Sequence, residues 1–264
     1  MKPGEWGGSS ALNPCYFVPA WYRIYADFTG NQEWLKVIDK CYDILDEIGK
    51  YNNGTGLVPD WCKVDGTAQK LNVWNGSAKY EYSYDAARTP WRIALDYSWY
   101  GSERAKEYCE KTNAFFKTVG AENIVDGYSL TGEKLGLYHN PTFVATAATG
   151  YLTGSDLEFG RIMFNESVKL KDEEPYDYYG NTLRMLTLLY MSGNFPNLYA
   201  PNTAPSNTPT TGTNTPTPTN NAKQVPEDIN GDRAVNMADV VIIASHFNAT
   251  SSDSNFNKDC DLNN

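Results

Sequence analysis

The sequence has little of what metal and disulfide chemistry needs. It holds 2 histidines in 264 residues, and its 5 cysteines include no CxxC pair. Cys15, Cys41, Cys62, Cys109 and Cys260 are odd in number and widely spaced. That pattern argues against a zinc site and against a disulfide framework. Scattered thiols of this kind pack as small hydrophobes, and suit secretion only into reducing surroundings. No run of 18 apolar residues occurs, so no transmembrane helix is expected. The formal net charge is −10 and no Lys/Arg cluster stands out, which leaves no electrostatic footprint for nucleic acid or anionic lipid. The stretch Met1 to Gly8 lacks an apolar core and a cleavage site, so it does not read as a signal peptide. It reads as an internal loop, and the chain is expected to begin within a longer protein.

What the sequence does have is aromatic surface, 14% of residues, with 7 Trp and 19 Tyr. Two explanations stand side by side. One is a Tyr-rich helical core; the other is a sugar groove in which flat rings stack on pyranose faces, a class of ligand that an acidic protein does not repel. The composition changes twice along the chain. Residues 1–199 are globular in character. Residues 200–224 are mostly Asn, Thr, Pro, Ser, Gly and Ala, a linker without large apolar groups to offset its ordering entropy. Residues 225–264 turn to Asp and Asn.

Periodicity in the first zone predicts seven helices and no strand long enough to build a sheet. Asn13-Pro14 reads as an N-cap and first-turn signal for a helix running to Gly30. The second starts near Asn31 and carries Trp34, Leu35, Ile38, Cys41, Tyr42, Ile44 and Leu45 at spacings of three and four, ending at Gly49. The others span Trp91 to Tyr100, Ser102 to Val119, Pro141 to Leu152, Ser155 to Leu170 and Asn181 to Met191. Gly30, Gly101, Gly120, Gly154 and Gly193 are placed as left-handed C-caps. Repeated helix hairpins of this kind suggest a toroid of paired helices with function on the loops at one end.

The sharpest motif runs from Asp228 to Asp239. Asp228, Asn230, Asp232, Asn236 and Asp239 put oxygens at positions 1, 3, 5, 9 and 12 of a twelve-residue loop, and Ala234 offers its carbonyl at position 7. Ca²⁺ takes about six to eight hard oxygens, which this spacing supplies. The alternative is a solvated Asx turn capping the helix that follows, with Val240, Val241, Ile243, Ala244 and Phe247 as its apolar contacts. Position 6 is Arg233 where the general EF-hand has Gly, and position 12 is Asp where it has Glu. A second copy begins at Asp261 and Asn263, with Asp259 as an alternative first position. Following a Thr/Pro linker, this segment resembles a type I dockerin over about half a module. The resemblance implies structural calcium, a cohesin domain of a scaffold protein as partner, and an extracellular cellulosome as location. Met237 and Ala238 stand at positions that help choose the cohesin in that family.

The densest chemistry of the first zone lies from Tyr80 to Arg92, where Asp85, Arg88 and several phenols precede a helix. Asp85 as a helix N-cap paired with Arg88 is the plain explanation. Other stretches bear on the choice: Glu5-Trp6-Gly7-Gly8, Asn13-Pro14-Cys15-Tyr16-Phe17, Ala20-Trp21-Tyr22-Arg23, Gly56-Leu57-Val58-Pro59-Asp60-Trp61, Tyr84-Asp85-Ala86-Ala87-Arg88, Asp96-Tyr97-Ser98-Trp99 and Tyr178-Tyr179-Gly180-Asn181. Together they resemble glycoside hydrolase family 8, inverting endoglucanases and relatives with an (α/α)6 barrel, across essentially all of residues 1–199.

The resemblance implies an all-α fold, an incomplete (α/α)6 barrel of about seven of twelve helices, followed by a truncated EF-hand-like dockerin. It makes Asp85 the general base, with Arg88 one turn along favouring its ionised form. Tyr84 and Tyr16 become phenols near the reacting sugar, and Trp6, Tyr176 and Tyr179 substrate-binding residues. Inversion needs a water between the base and the sugar, so the two carboxyls stand about 6.5–9.5 Å apart. The family's general acid, a Glu in a Glu-Gly-Met-like stretch, has no counterpart here, and neither Glu5 nor Glu81 sits in that context. The acid is therefore expected outside this sequence, and the chain alone is expected to be inactive. No cofactor is implied for catalysis. The reading is hydrolysis of β-1,4-glucan; the alternatives are xylan, chitosan or mixed-linkage glucan, with the Thr67–Ser77 loop bordering the cleft, or a non-catalytic carbohydrate-binding protein. His139 and His246 receive no catalytic role, His139 being placed as a capping or surface residue.

Overall fold

The computed structural model describes residues 11–67, 80–154, 156–173 and 177–199. The chain divides into two units, Met1–Met191 and Ser192–Asn264; of the second, residues 192–199 are described. The linker, the proposed calcium ligands Asp228, Asn230, Asp232, Ala234, Asn236, Asp239, Asp261 and Asn263, and the proposed sugar contacts Trp6 and Tyr176 lie outside the described residues.

Seven α-helices are present among the described residues: α1 Pro19–Thr29, α2 Glu33–Gly49, α3 Thr89–Tyr100, α4 Glu103–Val119, α5 Pro141–Ala148, α6 Leu157–Lys169 and α7 Asp177–Met191. The odd helices touch in succession, α1 on α3, α3 on α5 and α5 on α7. Each even helix packs beside the odd one before it, α2 on α1, α4 on α3 and α6 on α5. This is an arc of helix pairs with an inner row and an outer row. All eight residues of α5 are buried, as an inner helix flanked on both sides requires. The pairing matches the toroid of hairpins expected from the sequence.

Several boundaries differ from the expectation, each for a local reason. Asn13 does not open α1. It caps a short 3₁₀ turn, Pro14–Tyr16, and α1 begins at Pro19. A residue preceding proline is pushed out of the α region, and Val18 accordingly has φ −129° and ψ 62°. Helix α5 stops at Ala148 and continues as a 3₁₀ turn, Thr149–Thr153, in which the Gly150 carbonyl accepts from Asn113 Nδ2 at 3.0 Å. Helix α7 starts four residues before Asn181. Gly30, Gly101 and Gly154 take left-handed conformations at helix ends as expected, whereas Gly120, at φ 82° and ψ 137°, does not. A two-residue antiparallel ladder, Ala11–Leu12 (β1) with Cys62–Lys63 (β2), ties the segment before α1 to the loop after α2.

A buried ionic node joins three helices. Asp96 of α3 is fully buried and accepts from Arg23 Nε of α1 at 2.6 Å, Arg23 Nη2 at 3.0 Å, and Tyr42 Oη of α2 at 2.6 Å. Cys15, Cys41, Cys62 and Cys109 are buried free thiols, as small hydrophobes would be. Burial pushes Cys15, Cys41 and Cys62 up to about 12. His139 corrects its placement as a cap or surface residue: it is part-buried and bridges the Ile124 carbonyl (Nδ1, 2.6 Å) to Glu166 (Nε2, 3.1 Å).

Candidate active site

The segments leading into the odd helices converge at one end of the arc. Tyr16 precedes α1, Asp85 precedes α3, Asn140 precedes α5, and Tyr179 lies in the first turn of α7. The direction of each inner helix fixes where these residues stand; Tyr16, Asp85 and Tyr179 remain open to solvent, while Asn140 is buried. The site thus draws on four separate parts of the sequence.

Asp85 stands at the N-cap position of a 3₁₀ turn, Ala86–Arg88; the Arg88 pairing of the plain explanation is present, but the side chain makes no capping hydrogen bond. Its carboxylate is held on both oxygens. Asn13 Nδ2 donates to Oδ2 at 2.9 Å, and the Arg88 guanidinium pairs with Oδ1. The Asp85 side chain is still 36% exposed, and that of Arg88 15%. An ionised carboxylate has about four acceptor positions, so two held positions leave room for water. The backbone beneath is fixed by buried Asp60, whose Oδ1 accepts from Ser83 N at 3.1 Å and Ala86 N at 2.8 Å.

Three phenols frame the carboxylate. Tyr16 lies under both guanidiniums, with Arg88 and Arg92 each 5.7 Å from its ring centroid. Tyr84 Oη donates to Asp126 Oδ2 at 3.0 Å and accepts from Asn140 Nδ2 at 3.1 Å. Tyr179 Oη donates to the Tyr84 carbonyl at 3.0 Å, which ties α7 to the residue beside Asp85. Tyr16, Tyr84 and Tyr179 are each more than a third exposed to solvent. Burial pushes both Tyr84 and Tyr179 up to about 12, reinforced at Tyr84 by its bond to Asp126. Both stay protonated near neutral pH, and Tyr84 keeps its O–H directed at Asp126.

Cys15 is the other nucleophile in reach, with its Sγ 3.0 Å from Arg88 Nη2. Burial outweighs the two arginines and pushes its thiol up to about 12, so it is a weak nucleophile near neutral pH. Arg88 also loses charge stability to burial, but Cys15, Tyr179 and Asp85 more than offset this and leave it above its ordinary value. Arg92 falls below its ordinary value through burial, with Arg88 adding to the effect, and it donates to the Cys15 carbonyl.

The structure therefore brings together Asp85, Tyr84, Arg88, Tyr16 and Tyr179. It adds Asn13, Asp60, Arg92, Asp126 and Asn140, which sequence reasoning did not select. Asn13 and Asp60 stood within the matching stretches, but their partners lie 72 and 23 to 26 residues away in sequence and no spacing rule links them. No group of three or more His, Cys, Asp or Glu residues suited to a metal occurs among the described residues.

Comparison with known proteins bears on the family of the chain. The chain is 49% identical over 244 residues to endoglucanase A of Acetivibrio thermocellus, covering 92% of this chain and 49% of that protein. It is 44% identical over 258 residues to endoglucanase 2 of Ruminiclostridium josui, covering 97% of this chain and 51% of that protein. Among solved structures, an apo β-1,3-1,4-glucanase from Paenibacillus sp. X4 superposes with a TM-score of 0.65 at 27% identity, covering 71% of this chain and 51% of the other. The chain spans about half the length of the curated relatives it matches. Residues 1–193 match the profile of the glycosyl hydrolases family 8, and the chain belongs to that family.

Proposed function

We propose that residues 1–199 form the base-bearing part of an inverting β-1,4-glucan hydrolase, with Asp85 as general base. The observation that carries this reading is a solvent-accessible carboxylate held on both oxygens and framed by three exposed phenols. Inversion splits the work between two carboxyl groups: an acid protonates the leaving oxygen while the base takes a proton from water attacking the far face of the sugar. Asp85 is oriented for the second role. Arg88 and Asn13 fix its plane, and the open side of the carboxylate admits water. Tyr16 and Tyr179 offer ring faces for stacking, and the family resemblance adds Trp6 and Tyr176 as sugar contacts. The relatives at 44–49% identity are named endoglucanases, whereas those named for xylose release are 26% identical, which favours glucan over xylan.

The acid is not supplied by a Glu-Gly-Met-like stretch in these 264 residues. The proposed catalytic unit is therefore a complete (α/α)6 domain, and the chain alone is proposed to be inactive. A suitable test protein is this chain joined to the amino-terminal half of endoglucanase A. The expected result is release of reducing ends from cello-oligosaccharides by the joined protein and none by the chain alone. Normal turnover by the chain alone would contradict the proposal.

Residues 225–264 are proposed as a dockerin-type module that holds Ca²⁺ and binds a cohesin, placing the enzyme outside the cell on a scaffold. Support comes from the oxygen spacing of Asp228 to Asp239. The two relatives also match over 92% and 97% of this chain, more than residues 1–199 amount to. Titration calorimetry is expected to show calcium binding that is lost in Asp228→Ala; no heat from the unsubstituted chain would dismiss the calcium site.

A further inference from the structure

Asn13 occupies a position that a plain helix cap does not need. It is 3% exposed, and both ends of its amide are used. Oδ1 accepts from Cys15 N at 3.1 Å, capping the 3₁₀ turn, while Nδ2 donates to Asp85 Oδ2 at 2.9 Å. The two bonds fix the amide's orientation. Turning it over would set oxygen against the Asp85 carboxylate and NH₂ against a backbone N–H. The backbone is preorganised as well, since Pro14 keeps Asn13 extended at φ −117° and ψ 107°. The donor is buried and prealigned, so the bond to the part-exposed carboxylate needs no reordering of the amide.

Asp85 has two rigid neighbours on opposite oxygens, and they differ in kind. Arg88 supplies charge from the same turn of chain. Asn13 supplies a neutral donor from the segment before α1, across 72 residues of sequence. Other titratable and charged groups near Asp85 are Cys15 and Tyr16 from the turn before α1, Arg92 from α3, Asp60 from the loop after α2, and Tyr179 from α7. The donor to Oδ2 is Asn13.

We propose that Asn13 is a positioning residue for the reaction: its Nδ2–H sets the rotation of the Asp85 carboxylate so that the free lone pair faces the attacking water. This rests on Asp85 being the base. Asn13 touches no sugar in this account, so its loss lowers kcat and leaves KM alone. Its capping role is separable, because Ser and Asp also cap; the Ser hydroxyl sits one bond short of the Nδ2 position and an Asp carboxylate has no N–H, so neither restores the bond to Asp85.

The test uses the joined, complete domain with Asn13→Ser, Asn13→Asp and Asn13→Ala, and Asp85→Asn in parallel. Asn13→Ser is expected to keep its melting temperature and KM while kcat falls about ten- to hundredfold, the size of one hydrogen bond to a charged group. Asn13→Asp sets a like charge beside Asp85, which disfavours ionisation of the base. The acidic limb of kcat/KM is therefore expected to move up by about one pH unit. Asn13→Ala is expected to lose the cap as well, adding a lower melting temperature. Wild-type kcat in Asn13→Ser together with an unmoved acidic limb in Asn13→Asp would reduce Asn13 to a cap and overturn the proposal. A raised KM at unchanged kcat would make it a sugar contact and overturn it equally. If Asp85→Asn remains active, the base assignment itself fails; if Asp85→Asn is inactive and the Asn13 variants are normal, the failure belongs to Asn13.

Discussion

Asp85→Asn in the complete domain is expected to lower kcat on β-1,4-glucan about a thousandfold while KM stays within about twofold. The amide has nearly the shape of the carboxylate, so the loop over Asp60 and the packing around it are preserved. What it lacks is basicity: water attacking the sugar no longer gives its proton to a group able to hold it. Substrate contacts in the proposal come from Tyr16, Tyr179, Trp6 and Tyr176, which the substitution does not touch, so ground-state binding survives. Loss of kcat at constant KM is the mark of an interaction used only in the transition state. The new amide oxygen still accepts from Arg88, and the Asp85 side chain is 36% exposed, so loss of the charge is a small term in stability. Reducing-end release and a thermal melt on the same sample check both halves of the expectation. Activity within tenfold of the unsubstituted domain would remove Asp85 from the chemistry.

Asp96→Ala is expected to do the reverse, acting on the fold. Asp96 receives two bonds from Arg23 and one from Tyr42, and so fastens α1 and α2 to α3. Its side chain is fully buried and that of Arg23 is 30% exposed. Truncation leaves a largely enclosed guanidinium and a buried phenol without their shared acceptor, a loss of about 3–5 kcal/mol when one partner of a buried pair is removed. For a unit of this size that corresponds to a fall of roughly 10 °C in melting temperature. Replacing both charges, Asp96→Leu with Arg23→Met, is expected to recover part of the loss, because the stranded charge then disappears. A melting temperature unchanged in Asp96→Ala would show that the node carries no stability.

The helices were legible because their signals are local. Trp34, Ile38, Cys41, Ile44 and Leu45 recur at helical spacing, and five of the six buried positions of α2 were among those named from the sequence, Ile38, Cys41, Tyr42, Ile44 and Leu45. Ser102, read from the sequence as the first residue of its helix, stands one position before α4 and caps it through Ala105 N. The start of α1 was misread because Asn13-Pro14 and Pro19 each carry a helix-opening signal, and only the second is followed by a continuous turn. At the site, family resemblance selected Asp85, Arg88, Tyr84, Tyr16 and Tyr179, and the structure gathers all five at one end of the helix arc. Their supports were not legible. Asn13 read as a helix opener, Asp60 stood in a matching stretch without a role, and Asp126 carried no sequence signal, because each acts on a partner that the chain reaches only after folding. Asp126 illustrates this: one carboxylate accepts from Leu137 N, Tyr138 N and Tyr84 Oη, closing a loop against the site from three directions.

The direct test of Asp85's role is the configuration of the first reducing ends formed, followed by proton NMR as the complete domain cleaves cello-oligosaccharide faster than the sugar mutarotates. A base that activates water on the far face of a β-linked sugar gives α-anomers first, with β appearing later by mutarotation. First-formed β-anomers would instead require a covalent intermediate or an attack from the other face, and Asp85 would not be the general base described here.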